Sequence, residues 1–193
     1  FILAMSFFAG KVVIVTGSSS GIGRSTAVFF AKEGAKVTIT GRKDDALAET
    51  KALCVAAGAR KEDVLDILGD LKDEKFASRL VEDTVAKFGQ LDVLVNNAGA
   101  AVFDKAGNKG MDIPATIYDQ VMELNVRSVI ILTQFATPHL EKTKGAIVNV
   151  SSIASMPFVN MEPYYCTSKA ALDQLTVQMA GNLIRKGIRV NSV

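Results

Sequence analysis

Stretches rich in β-branched residues alternate along this chain with stretches whose apolar positions recur at helical spacing. The first, Lys11 to Thr16 (KVVIVT), ends at a Gly/Ser cluster and predicts a strand buried on both faces. From Ile22 to Glu33 the apolar residues return with helical period, Gly34 punctuates, and Lys36 to Thr40 (KVTIT) predicts a second strand. The alternation continues with a charged helix from Lys43 to Ala57, a strand at Val64 to Leu68, a helix from Glu74 to Phe88 and a strand at Val93 to Val95. Beyond a Gly-containing insertion, Ala100 to Gly110, a long helix from about Thr116 is expected to stop near Pro138, because proline breaks the helical ladder. A strand at Ala146 to Val150, a helix from about Tyr164 to Lys186 and a sixth strand opening at Arg189 to Val193 complete the series.

No repeat, linker or low-complexity segment interrupts this order. It predicts an α/β fold: a Rossmann-like, doubly wound parallel sheet in a three-layer α/β/α arrangement, built as a single domain. A chain of 193 residues, 49% apolar, is long enough to bury such a core. The domain is expected over 11–193, with residues 1–10 as an N-terminal extension in which the four residues before Met5 read as foreign to it. In this architecture ligands bind outside the carboxyl ends of the strands.

Charge and cysteine usage narrow the classes. The 22 basic and 20 acidic residues are dispersed and leave a net charge of +2, so no nucleic-acid footprint is expected. Cys54 and Cys166 form neither a C-x-x-C nor a Cys/His cluster, which argues against a disulfide framework and a zinc site and suggests a reducing, cytoplasmic compartment. Phe1 to Ala9 is apolar but far shorter than the roughly 20 residues a membrane span requires, and it lacks the basic flank of a signal peptide.

Thr16 to Gly23 (TGSSSGIG) falls where the first strand turns into the first helix. Free backbone N–H groups and the positive end of the helix dipole make that turn a seat for a pyrophosphate. Gly17 is expected to permit the turn, Gly21 to let phosphates approach, and Gly23 to pack helix on strand. Taken alone, such a turn is as readily a structural one, and its strand–helix context gives it weight. At the end of the second strand, a fold selective for NAD would place an acid on the ribose, whereas this chain has Gly41, Arg42 and Lys43. That favours the 2′-phosphate of NADP, the alternative being that the two cations are a solvated helix start.

Tyr165 and Lys169 stand at i and i+4 on one helical face, where an ammonium can lower the pKa of a phenol that otherwise titrates near 10. Ser151 and Ser152 follow the fifth strand at the ligand-binding edge, or are a turn-forming pair.

Together these motifs carry a resemblance. The chain from about Met5 to Val193 resembles the short-chain dehydrogenase/reductase family, through the Thr16 to Gly23 loop, Asn96-Asn97-Ala98-Gly99, Ser152, and the Tyr165/Lys169 pair thirteen residues beyond that serine. The resemblance implies an NADP(H)-dependent oxidoreductase that interconverts a carbonyl and a secondary alcohol by hydride transfer, without a metal. It assigns catalysis to Asn125, Ser152, Tyr165 and Lys169: Tyr165 as acid and base, Ser152 polarising the reacting oxygen, Lys169 shifting Tyr165 and holding the nicotinamide ribose, Asn125 ordering a relay water. Cofactor contacts are implied for Gly17, Ser18, Ser20, Gly21, Ile22, Gly23, Arg42, Asp70, Leu71, Asn96, Tyr165 and Lys169, with Asn97 and Gly99 architectural. A homodimer or homotetramer is expected to form through the helices beginning near Thr116 and Tyr164, and the partner otherwise is a small-molecule substrate.

The chain departs from the family pattern in lacking, after Val193, the Pro-Gly turn, substrate loop and last strand. Three readings follow: an oxidoreductase represented by an incomplete chain, which is favoured, a cofactor-binding fragment with little activity, and a noncatalytic dimerisation or regulatory module. His139, next to Pro138, reads as a surface or capping residue, and Cys166 has no basic partner that would make it a nucleophile.

Overall fold

The computed structural model describes residues 6–157 and 162–193. Six strands, β1 (Val12–Val15), β2 (Lys36–Gly41), β3 (Val64–Leu68), β4 (Val93–Asn96), β5 (Ala146–Asn149) and β6 (Arg189–Ser192), form one sheet in the order β3-β2-β1-β4-β5-β6. Every neighbouring pair is parallel, with Val13 opposite Val37 on one edge of β1 and opposite Val93 on the other. Six α-helices connect them: α1 (Gly21–Lys32), α2 (Asp44–Ala56), α3 (Glu74–Phe88), α4 (Ala115–Met122), α5 (Ser128–Thr143) and α6 (Pro163–Leu183). The doubly wound α/β architecture expected from the alternation is the one observed.

Side-chain alternation along β1 divides the core in two. Val12 and Ile14 face a layer made by Leu80 of α3 and Leu132 and Leu140 of α5, whereas Val13 and Val15 face Ala27 and Ala31 of α1 and Leu47 and Cys54 of α2. All four β1 side chains are fully buried, which is why the strand reads as an uninterrupted apolar run.

Two features differ from the sequence expectation, and a third adds to it. The long helix runs past Pro138 to Thr143, because Pro138 and Gln134, whose carbonyl loses its donor, are both on the exposed face. Before it, the chain passes through a π-helical turn, Glu123–Arg127, between α4 and α5. The segment before residue 11 is tied to the domain as far as residue 6: Phe8 stacks edge-on against Phe30 at 4.8 Å, and Phe8 N–H donates to Glu33 O at 3.3 Å. Residues 1–5 lie outside the described residues.

No helix among the described residues is long and apolar enough to cross a membrane.

Candidate active site

The carboxyl ends of β1, β2, β4 and β5 open into a cavity of about 420 Å³, lined from the glycine loop at one end to Tyr165 and Lys169 at the other. The loop owes its path to two backbone positions that side chains rarely adopt, Gly17 at φ +62° and Gly21 at φ +54°. A Cβ on Gly17 would lie 2.8 Å from Ala98 Cα, so that glycine is required by space as well as by torsion. At Gly21 a Cβ would meet nothing within 4 Å, leaving the backbone open to close approach. Ser20, extended at φ −163°, caps α1 without a side-chain hydrogen bond to the helix amides, and Gly21, Ile22 and Gly23 line the cavity beside it. A pyrophosphate fits this cradle, which offers free N–H groups, a positive dipole end and, at Gly21, open space where a side chain would stand.

Ser18 has a different job. It is fully buried; its N–H donates to Thr40 O at 3.0 Å, and its hydroxyl donates to Val15 O and accepts from Thr40 N–H, both at 2.9 Å. It joins the loop to β2 from beneath the cavity. Arg24, which the sequence presents as one more residue of the helix, also fastens the loop: its guanidinium donates to Ser19 O at 2.6 Å and Thr50 Oγ1 at 3.0 Å and pairs with Glu49 at 2.8 Å.

At the end of β2, a Cβ on Gly41 would lie 2.9 Å from Ser19 Cβ, so the position that would carry a ribose-binding acid has no room for a side chain. Arg42 follows, largely exposed, with its guanidinium 4.0 Å from Asp70. Asp70 accepts from Lys72 N–H at 3.0 Å, and with Leu71 it forms the adjacent wall. Asn96 is not on that wall: buried, it donates to Asn149 Oδ1 at 2.9 Å, and Asn149 donates to Thr176 Oγ1 at 2.8 Å. Asn97 stitches β4 to the glycine loop, donating to Thr16 O at 2.8 Å.

At the far end, Tyr165 and Lys169 project from α6 with the ammonium 5.7 Å from the phenol ring centroid. Lys169 is only 4% exposed and donates to Val150 O at 2.8 Å. Burial pushes its ammonium below the ordinary lysine range, opposed by the Asp173 carboxylate. The π-helical turn delivers Asn125, buried, behind these two residues. Its Oδ1 accepts from Ala100 N–H at 2.9 Å, while Nδ2 donates to Ala100 O and Ser168 Oγ, each at 3.0 Å. Gly99 passes between them: a Cβ there would lie 3.2 Å from Asn125 Oδ1 and 3.4 Å from Lys169 Nζ.

Of the serine pair, Ser151 lines the cavity, and its buried hydroxyl has no partner among the described residues. Ser152 caps a 3-10 turn, Ile153–Ser155, accepting from Ala154 N–H at 3.1 Å, which leaves its own hydroxyl proton to donate. His139 lies inside α5, away from the cavity lining, and burial of the Cys54 thiol pushes its pKa up to about 11. The described residues contain no group of three or more His, Cys, Asp or Glu able to hold a metal.

A glycine-lined helix start, a parallel sheet and a crevice beneath a Tyr/Lys helix define a Rossmann-type nucleotide-binding oxidoreductase. Comparison with known proteins gives the family: the short chain dehydrogenase profile matches residues 11–193, and the chain belongs to that family, whose members act on alcohol and carbonyl groups. A short-chain dehydrogenase/reductase of unknown function from Caenorhabditis elegans, solved with cofactor, superposes with a TM-score of 0.94 at 46% identity, over 96% of this chain and 69% of that one. The glucose dehydrogenase of Caenorhabditis elegans in its apo form gives 0.88 at 49% identity, over 96% and 73%. An uncharacterized oxidoreductase of Thermotoga maritima is 38% identical over 96% of this chain and 71% of its own length.

Proposed function

We propose that this chain binds NADP(H) along the cavity and interconverts a carbonyl and a secondary alcohol, with Tyr165 handling the proton. The observation that carries this reading is the buried Lys169 ammonium beside the Tyr165 ring, in the same cavity as the glycine cradle. When bound, the dinucleotide supplies or accepts the hydride. The residues do the rest. In reduction the Tyr165 hydroxyl gives its proton to the reacting oxygen, and in oxidation the phenolate takes it back. Lys169 places a cation beside the Tyr165 ring and would hold the nicotinamide ribose. Ser152 donates a hydrogen bond from its free hydroxyl to the reacting oxygen and polarises the carbonyl. Asn125 holds the Ala100 backbone and Ser168 and so fixes the wall behind Lys169.

The preference for NADP rests on the crowding at Gly41 and on Arg42, whose exposed guanidinium suits a 2′-phosphate. Exposed Val177 on α6 and Ile184 just beyond it support association of copies through that helix. A monodisperse monomer in light scattering at high concentration would count against it. A cytoplasmic setting is supported by the two free cysteines.

The test is a fluorescence titration with NADPH and NADH, followed in the same cuvette by a panel of ketones and aldehydes. NADPH-selective binding with turnover is the expected result, and absence of binding to either dinucleotide would overturn the reading.

A further inference from the structure

Lys169 sits in a seat that offers its charge little support. The groups around it are the Val150 carbonyl from the end of β5, the Gly99 backbone, the Asn125 amide from the π-helical turn and the Tyr165 ring from its own helix. All are neutral while Tyr165 is a phenol. Of the acids on other elements, Asp70 shares the cavity lining but accepts from Lys72 N–H and faces Arg42, and Glu123, which opens the π-helical turn, is 3.7 Å from Lys72. A buried cation without a counter-charge is costly.

Asp173 stands one helical turn beyond Lys169, so that Tyr165, Lys169 and Asp173 mark one face of α6 at i, i+4 and i+8. Its Oδ1 is buried and accepts no hydrogen bond among the described residues. A buried carboxylate oxygen left without a donor requires a reason; the Lys169 ammonium, bonded to Val150 O and more than 4.0 Å away, is the cation one turn along the same face of the helix. The Asp173 carboxylate is also the charge that opposes the effect of burial on Lys169.

We propose that Asp173 is a positioning residue, whose carboxylate keeps the buried Lys169 ammonium charged and so sets the upper pH limit at which Lys169 can act on Tyr165. Its catalytic meaning rests on the assignment of Tyr165 and Lys169 given above, but the charge coupling does not. Asp173 is not part of the cavity lining and acts only through Lys169.

The experiment follows the Lys169 titration itself, by NMR of the chain carrying ¹³Cε-labelled lysine, with the resonance assigned by its loss in Lys169→Arg. Asp173→Asn, which keeps shape and removes charge, is expected to lower the midpoint by about one pH unit or more, a tenfold change. Asp173→Glu is expected to keep it near the original value. Should the asparagine variant fail to fold by circular dichroism, Asp173→Ser carries the same expectation. Coincident midpoints in the charged and neutral variants would overturn the proposal. An NADPH titration of the unsubstituted chain runs alongside: absence of binding there sinks the cofactor reading and leaves the midpoint comparison fully in force.

Discussion

The two ends of the cavity are built from opposite materials. The glycine-loop end is mostly backbone: positive-φ glycines, a bare helix start, and supports such as Ser18, Arg24 and Asn97 that hold the loop from below. The Tyr165 end is side chain: a phenol, a buried ammonium and an amide braced by Ala100 and Ser168. The first is sensitive to added volume, because a Cβ at Gly17 or Gly23 meets neighbouring backbone. The second is sensitive to a single proton, because its charge is buried.

Substitutions that strike one end and spare the other separate the two. Tyr165→Phe removes only the ionisable hydroxyl, so turnover is expected to fall by about 10²- to 10⁴-fold while NADPH affinity stays nearly unchanged; retained turnover in single-turnover assays would refute its role. Gly17→Val acts at the other end, adding both a strained torsion and a collision with Ala98. It is expected to cost ~2–4 kcal/mol in denaturant unfolding and to abolish dinucleotide binding. Arg42→Ala should weaken NADPH by roughly tenfold, as the loss of a charge-assisted contact implies, and NADH far less. Equal effects on both in parallel titrations would make Arg42 a solvated cation.

The smallest effect concerns pH and a residue at neither end. Burial, and secondarily Lys142, hold His139 below its ordinary value of 6.5, with Glu82 opposing. The unfolded chain therefore binds more protons than the folded one just below that pH, and stability falls as pH drops through this window. His139→Gln is expected to flatten that slope in thermal melts from pH 7 to 5. An unchanged slope would place the dependence elsewhere.

How much of this was legible beforehand follows the same division. The β1 run and the Gly17, Gly21 and Gly23 spacing announce themselves because burial on both faces and a forced turn each leave a local signature. Tyr165 and Lys169 are legible because helical period alone brings them together. Asn125 is recognisable only by resemblance, since the π-helical turn that aims it leaves no mark in apolar spacing. The role of Ser18, the Asn96–Asn149–Thr176 chain and the grip of Arg24 on Ser19 depend on partners distant in sequence. Pro138 misled because its cost depends on which way the helix faces, not on the residue itself.

The placement of β1 between β2 and β4 has a bearing on the life of the chain before it is finished. Synthesis from the N-terminus releases residues 12–68, enough for β1, β2 and β3, while the other edge of β1 still awaits β4. Gly17, Arg42 and Asp70 emerge early, and Tyr165 and Lys169 only with α6. A dinucleotide held by both ends of the cavity would therefore report that α6 has joined the sheet. At a hundredfold excess over its dissociation constant, it would add about 2.7 kcal/mol to a chain that has folded through α6 and nothing to a nascent one that lacks it. Protease survival of newly made chains, measured with and without NADPH, would register that selection.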